Sequence, residues 1–302
     1  MSNKKYKVSE KFMSIQGEST HCGKLTAWCR FFLCNLQCKG FSQDNPADPK
    51  SWAVLSDTID LSSIKRIEDL PIFTKGCDSA YSVTKRFQHL ILEETAEEIA
   101  NGIIDTMKNK YNPFGLFKHP ASGEEIHMCF TGGEPMLRQD AIIEILQYFI
   151  DINNKPKFVT IETNGTQKLK SELKDFIIKN YTNNDCEWLW SVSPKLWNTA
   201  GEENKRAIKP EIVSEYGSIN GTKGHLKFVL NGTNASWNEL DNLIQKFKDA
   251  DVNFPIWIMP VGASKEQQEL PNISDIADEA IKRGFHVAGR MHCYLWNNPV
   301  GR

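Results

Sequence analysis

No apolar run in this 302-residue chain approaches the roughly 20 residues that span a bilayer. The opening MSNKKYKVSEKF is charged where a secretory leader carries its apolar stretch. A cytoplasmic protein with no membrane partner is expected. An excess of either sign of charge is missing too: 36 basic against 38 acidic side chains leave a formal net charge of -2. That excludes the broad basic field on which non-specific nucleic-acid binding depends and leaves a small molecule as the expected substrate. There is no internal repeat and no low-complexity linker, so residues 1–302 are read as one domain, and 40% hydrophobic residues suffice for a sizeable core.

What the chain does contain is eight cysteines. In a reducing compartment they are not expected to form disulfides, which leaves metal ligation, catalysis or burial. Two stand four apart in FLCNLQCKGFSQ, Cys34 and Cys38, and Phe41 occupies the place where a third would complete a cluster-binding spacing. Core packing, zinc and an interrupted iron-sulfur site all remain open for this pair. Zinc finds no fourth ligand at a finger-like spacing.

From residue 126 onward apolar runs alternate with amphipathic stretches. IHMCFT (126–131), PKFVTIET (156–163), CEWLWSVS (186–193), GHLKFVL (224–230), FPIWIMP (254–260) and FHVAGRM (285–291) have strand composition, as does LTAWCRFFLC at 25–34. Helical patterns cover 93–110, 141–152, 168–179, 236–248 and 273–283. Strand-helix alternation predicts an α/β fold with a mostly parallel sheet, a partial or modified TIM-like (β/α) barrel with its sites at the carboxyl ends of the strands. Residues 39–76 break the alternation. They read as an inserted, loop-rich segment, long enough that it is expected to pack as a unit or serve the site, and to fold over or beside the paired cysteines.

After the insertion comes KGCDSAYS, which supplies Cys77. SIQGES, CRFFLCNLQC and CDSAYS resemble, in order, the opening of the 7-carboxy-7-deazaguanine synthases, which are radical S-adenosylmethionine enzymes. TGGEP (131–135), TNG (163–165) and SPK (193–195) continue the resemblance, each after a predicted strand and in the family's order. Singly, each is also an ordinary turn; their joint order is what points to the family. The resemblance implies that Cys34, Cys38 and Cys77 hold a 4Fe-4S cluster. Three ligands leave one iron open, as an open zinc site does, and in the family that iron chelates S-adenosyl-L-methionine, whose reductive cleavage gives the 5'-deoxyadenosyl radical. Gly132, Gly133, Glu134, Thr163, Asn164, Ser193 and Lys195 match the cofactor-binding positions. Ser79 stands where the family usually has a threonine on magnesium, with the ligating oxygen kept.

The implied reaction converts 6-carboxy-5,6,7,8-tetrahydropterin to 7-carboxy-7-deazaguanine with loss of ammonia, a step in queuosine-type 7-deazapurine biosynthesis. Gln16, Glu18 and Arg30 match pterin-facing positions, with Thr131 and His292 as further candidates. A carboxylate and an amide suit the guanidine-like edge of a pterin, and an arginine fork suits its carboxylate; Arg30 on an apolar strand is equally suited to a structural ion pair. No residue is singled out as catalytic. The resemblance also implies an electron donor such as flavodoxin or ferredoxin and allows a homodimer. Gly76 replaces the aromatic residue that many radical enzymes carry before the third cysteine, and Phe41, Phe73 and Tyr81 are the candidates to replace it. Cys22, Cys29, Cys129, Cys186 and Cys293 are left as structural. Two other functions are compatible with parts of the pattern: a glycyl-radical activase acting on a partner protein, and a non-enzymatic zinc-stapled module.

Overall fold

The computed structural model describes residues 3–182 and 185–301. Its nine strands are β1 (Lys5–Ile15), β2 (Leu25–Phe31), β3 (Leu92–Thr95), β4 (His127–Gly132), β5 (Phe158–Thr163), β6 (Glu187–Val192), β7 (Lys223–Leu230), β8 (Ile256–Pro260) and β9 (His286–Val287). They form one sheet in the order β3-β1-β2-β4-β5-β6-β7-β8-β9. β1 pairs antiparallel with β2 and β3, and from β2 to β9 every neighbour is parallel. The two ends of the sheet do not pair with each other. The expected α/β fold is therefore an incomplete barrel, opened between β3 and β9.

Alternation along each strand gives the sheet two unlike faces. Ala27, Cys29 and Phe31 of β2, Met128 and Phe130 of β4, Val159 and Ile161 of β5, and Trp188 and Trp190 of β6 belong to the main apolar core. The helices α1 (Ala96–Met107), α2 (Gln139–Asp151), α3 (Ser171–Tyr181), α4 (Pro210–Gly217), α5 (Asn234–Asp249) and α6 (Asn272–Lys282) contribute their buried stripes to the same core. The residues between, Arg30, Thr131, Glu162, Ser191 and Lys227, line a cavity on the other face. The helix side takes the apolar set because helices supply no hydrogen-bond partners there. The concave side tolerates polar groups because they can pair across the strands.

Three elements differ from the sequence pattern. β1 was not anticipated, although it is 11 residues long: its register shifts between Val8 and Glu10, which breaks the period of two. The helix expected over 93–110 begins only at Ala96, after β3. Thr95 caps it in a reciprocal box with Glu98, and the preceding residues pair with β1 instead. The strand expected over 285–291 is cut to two residues, and the chain then enters α7 (Met291–Trp296); Arg290, just before this helix, and His292 within it line the cavity wall.

The inserted segment leaves and returns at one place. Gly76 N-H donates to the Phe41 carbonyl at 2.8 Å, and a side chain at Gly76 would come within 3.7 Å of Lys39 Cα. Between these points Ile67, Leu70 and Phe73 pack with Ala80, Tyr81, Phe87 and Leu90 in a small separate core, against which Cys77 also lies. Among the described residues no helix is long and apolar enough to cross a membrane.

Candidate active site

The cavity at the carboxyl ends of the strands measures about 250 Å³. Cys34 lies just beyond β2, Cys38 four residues on, and Cys77 just beyond the insertion; all three line it. Cys38 is buried in a small cluster against which both Cys34 and Cys77 pack. The insertion therefore does not separate the three sulfurs. Leu36 N-H and Asn164 Nδ2 donate to Cys34 Sγ at 3.4 and 3.7 Å, and Cys77 Sγ lies 3.5 Å from Ser79 Oγ. Burial pushes the Cys34 thiol up to about 12 and raises Cys38 and Cys77 as well. Such sulfurs become thiolates when a metal cation replaces the proton.

The cysteine loop is braced from outside. Glu202, buried, accepts hydrogen bonds from Gln37 N-H and Cys38 N-H at 2.6 and 2.7 Å on one oxygen. Leu33 and Cys38 hold left-handed backbone, at φ 82° and 52°, which costs a non-glycine residue about 1 kcal/mol each. From the other side Gly133 N-H and Glu134 N-H donate to the carbonyls of Phe31 and Leu33 at 3.0 and 2.9 Å. A Cβ on Gly132 would stand 2.3 Å from Phe31 O, and one on Gly133 would stand 2.3 Å from Leu33 O. The Gly-Gly pair is thus explained by close approach to the chain's own cysteine loop.

Every sequence-predicted site residue lines the cavity except Glu134. That carboxylate sits behind the wall, accepting from Thr163 Oγ1 (2.7 Å), Asn164 N-H (2.7 Å) and Met136 N-H (3.0 Å). Burial raises it to about 7 against these hydrogen bonds. Its visible work is to fasten the TGGEP loop to the TNG turn. Asn164 carries that connection on to Asn35 Oδ1, at 3.0 Å, and Lys195 donates to Ser193 Oγ at 2.8 Å. Of the aromatic candidates, Phe41 and Tyr81 line the cavity and Phe73 does not. Phe41 packs against the same small cluster as Cys34 and Cys77, with the Lys195 ammonium 5.8 Å above its ring.

The same cavity is lined by an alternating charge network. Glu18 pairs with Lys227 through one oxygen and with Arg290 Nε at 2.9 Å through the other. Arg290 also donates to Asp78 Oδ2 at 2.6 Å and to the Gly262 carbonyl at 2.8 Å. Burial alone would raise the Glu18 carboxyl, but Lys227, Arg290 and His292 outweigh it and hold it well below the usual range. His292 lies against Gly17, with burial and Arg290 lowering it to about 4, so it is neutral at pH 7. Arg30 gives its Nε to Glu10 at 2.6 Å, and Tyr81 OH donates to the same oxygen at 2.7 Å. Gln16 Nε2 and Thr131 Oγ1 each donate to Glu162, at 3.3 and 3.0 Å.

Glu162, Lys227, Arg290 and Glu202 were missed in the sequence. Three of them had a signal: Lys227, Glu162 and Arg290 are lone charges inside apolar strand-like runs, and an inward-facing charge in such a run requires a partner. Glu202, in a polar loop, had none. Among the described residues no three His, Cys, Asp or Glu side chains are placed to hold a single metal ion. A four-iron cluster spreads its ligands around a larger body than one ion does, and three cysteines on one cavity, Cys38 buried and Cys34 and Cys77 half-buried, suit that body.

No family model matches the chain. It is 28% identical over 205 residues to the 7-carboxy-7-deazaguanine synthase of Nitratidesulfovibrio vulgaris, covering 66% of this chain and 69% of that protein. With the synthase of Clostridium acetobutylicum it shares 28% over 169 residues, 56% of this chain and 50% of the relative. The chain resembles the 7-carboxy-7-deazaguanine synthases. Its aligned part spans between half and about two thirds of these relatives' length. The crystal structure of QueE from Escherichia coli superposes with a TM-score of 0.51 over 95% of both chains at 15% identity, a likeness of fold.

Proposed function

We propose that this chain is a radical S-adenosylmethionine enzyme that converts 6-carboxy-5,6,7,8-tetrahydropterin to 7-carboxy-7-deazaguanine with loss of ammonia. The observation that carries the reading is the meeting of two chemistries in one cavity, lined both by Cys34, Cys38 and Cys77 and by Gln16, Glu18, Arg30, Thr131 and His292. The relatives' shared name supports the reaction.

In this reading Cys34, Cys38 and Cys77 hold the 4Fe-4S cluster, and the cluster with bound S-adenosylmethionine supplies the radical that starts the rearrangement. Ser193, Lys195, Thr163 and Asn164 line the cofactor's side, and Ser79 offers a hydroxyl oxygen to a magnesium ion. Gln16 and Glu162, which are joined by a hydrogen bond, and Glu18 read the N-H groups of the pterin's guanidine-like edge. Arg30, steadied by Glu10 and Tyr81, pairs with the substrate carboxylate. Leu70, Pro71 and Ile72 of the inserted segment add apolar lining to the same cavity. An external one-electron donor of the flavodoxin or ferredoxin type is required.

The test is anaerobic. The iron-sulfur-reconstituted protein is given reductant, magnesium, S-adenosylmethionine and 6-carboxytetrahydropterin, and products are read by mass spectrometry beside a Cys77→Ala control. The expected result is 7-carboxy-7-deazaguanine with wild type and none with the control. Wild-type protein that makes 5'-deoxyadenosine but no deazapurine overturns the pterin assignment, and protein that makes neither overturns the radical one.

A further inference from the structure

Two segments that line the cavity come from distant parts of the chain, and beside the Tyr81 to Glu10 hydrogen bond a buried arginine reaches both of them. Asp78 directly follows Cys77, the last of the three cysteines, whereas Glu18 lies in the loop after β1. Neither carboxylate touches the other's segment by any other hydrogen bond among the described residues. Arg290 bridges them, giving Nε to Glu18 Oε1 at 2.9 Å and Nη2 to Asp78 Oδ2 at 2.6 Å. Nη1 goes to the Gly262 carbonyl at 2.8 Å, which ties the fork to the loop after β8. All three nitrogens are engaged and the residue is 8% exposed, so the guanidinium plane is fixed at every edge. Along the series Lys227, Glu18, Arg290, Asp78 the charges alternate and cancel. Loss of the arginine leaves Glu18 with Lys227 alone and Asp78 without its partner, so nothing then holds the two segments at a fixed separation.

We infer that Arg290 is a positioning residue that couples the third cysteine's arm to the substrate wall, so that order on one side of the cavity sets order on the other. The inference rests on the proposed function for the identity of the ligands, but the bridge itself does not depend on which small molecule binds. A coupling of this kind is reciprocal: a ligand that orders Glu18 slows release of whatever the cysteines hold. Arg290→Lys keeps the charge but loses the planar fork, and one ammonium cannot reproduce three fixed directions. It should therefore restore only part of the effect.

The test is a double-mutant cycle on the full chain with two readouts. In the first, reconstituted wild-type, Glu18→Gln, Arg290→Gln, Arg290→Lys and Glu18→Gln/Arg290→Gln proteins are placed in an iron chelator and iron release is timed without any pterin. Glu18→Gln, which touches no cysteine, should speed release roughly fivefold or more, within the usual range of coupling between sites. The double variant should be no faster than Arg290→Gln alone, and Arg290→Lys should fall between it and wild type. In iron-free full-length protein, mass-spectrometric rates of Cys77 alkylation should follow the same order, which keeps the test decisive if no cluster assembles. In the second readout, 6-carboxypterin should slow iron release from wild type and give no protection to Arg290→Gln at saturating pterin, followed by its fluorescence.

Unchanged rates in Glu18→Gln, or additive effects in the double variant, would overturn the coupling. Wild-type protein that binds no 6-carboxypterin but shows the non-additive pattern would instead overturn the pterin reading and leave the bridge standing. Circular dichroism of each variant separates these outcomes from global unfolding, because Glu18→Gln preserves side-chain volume even where an Arg290 variant fails to fold.

Discussion

Replacing Glu202 tests how the cysteine loop is held. One oxygen of this buried carboxylate accepts two backbone N-H groups, from Gln37 and Cys38, beside two non-glycine residues in left-handed backbone, Leu33 and Cys38. Alanine would strip both donors of their acceptor. A hydrogen bond to a charged group contributes about 1.5–3 kcal/mol; because the two share an oxygen and water can reach part of the space left behind, the expected loss is about 2–4 kcal/mol. Glu202→Gln keeps an acceptor of the same shape and should recover about half of that. The assay is urea unfolding of each variant, with iron per chain measured after reconstitution and desalting. Glu202→Ala should lower the midpoint without changing the slope and should retain far less iron. An alanine variant within about 0.5 kcal/mol of wild type, with full iron retention, would refute the bracing role.

Three further outcomes are expected. Gly133→Ala should cost about 3 kcal/mol, because its Cβ would meet Leu33 O at 2.3 Å and Cys34 N at 2.8 Å, all immobile backbone. Gly289→Ala, with nothing within 4 Å, is the matched control, and equal thermal midpoints for the two would contradict the close approach. Glu134 is raised in the folded protein to about 7 from an ordinary 4.5, so the folded state binds its proton more tightly than the unfolded state does. Its contribution is full below about pH 4.5 and falls as pH rises to about 7, by about 3 kcal/mol, after which it is constant. Unfolding free energies of wild type minus Glu134→Gln, taken from pH 4.5 to 8, should show that slope; a flat difference rejects it. Finally, replacing residues 42–75 with a short glycine linker between Phe41 and Gly76 should leave Cys38 and Cys77 neighbours and permit iron uptake, but weaken 6-carboxypterin binding, measured by fluorescence, through loss of the Leu70–Ile72 wall. Loss of iron uptake in a folded variant would show that the insertion itself holds the cysteines together.

The parallel strands were legible because each is a short apolar run followed by a helical pattern. β1 was not, since Lys5, Lys7, Glu10 and Lys11 surround its apolar residues and the bulge after Val8 changes which parity faces the core. The motif residues were legible for a similar reason: each sits where a strand ends, which is where this fold gathers its loops. The charge network was not. Glu18 and Arg290 are 272 residues apart, and a local pattern carries no trace of a pair closed only by the sheet. Glu134 shows a different limit. Its motif marked the right loop, but whether the carboxylate faced the cavity or the chain behind it depended on Thr163 and Asn164, 29 and 30 residues away.

The inserted segment shows why the third cysteine was still recognisable. Closing a loop costs only about 0.6 kcal/mol for each doubling of its length, so distance in sequence between Cys38 and Cys77 is a small term beside the contacts that fix their positions. Those contacts are local to the junction: the Gly76 to Phe41 hydrogen bond, the Glu202 brace on Cys38 and the Arg290 bridge to Asp78. The first half of the insertion adds others: Lys39 pairs with Asp57 at 2.7 Å, Gln43 Nε2 donates to the carbonyls of Lys39 and Ala53 at 3.1 and 3.2 Å, and a Cβ on Gly76 would stand 2.9 Å from Val54. Its second half buries Ile67, Leu70 and Phe73 against the segment that follows Cys77, which offsets its ordering entropy with its own apolar contacts. The segment therefore acts on the site in two ways: its first half packs on the junction beside Cys38 and Cys77, and its second half contributes the wall from Leu70 to Ile72.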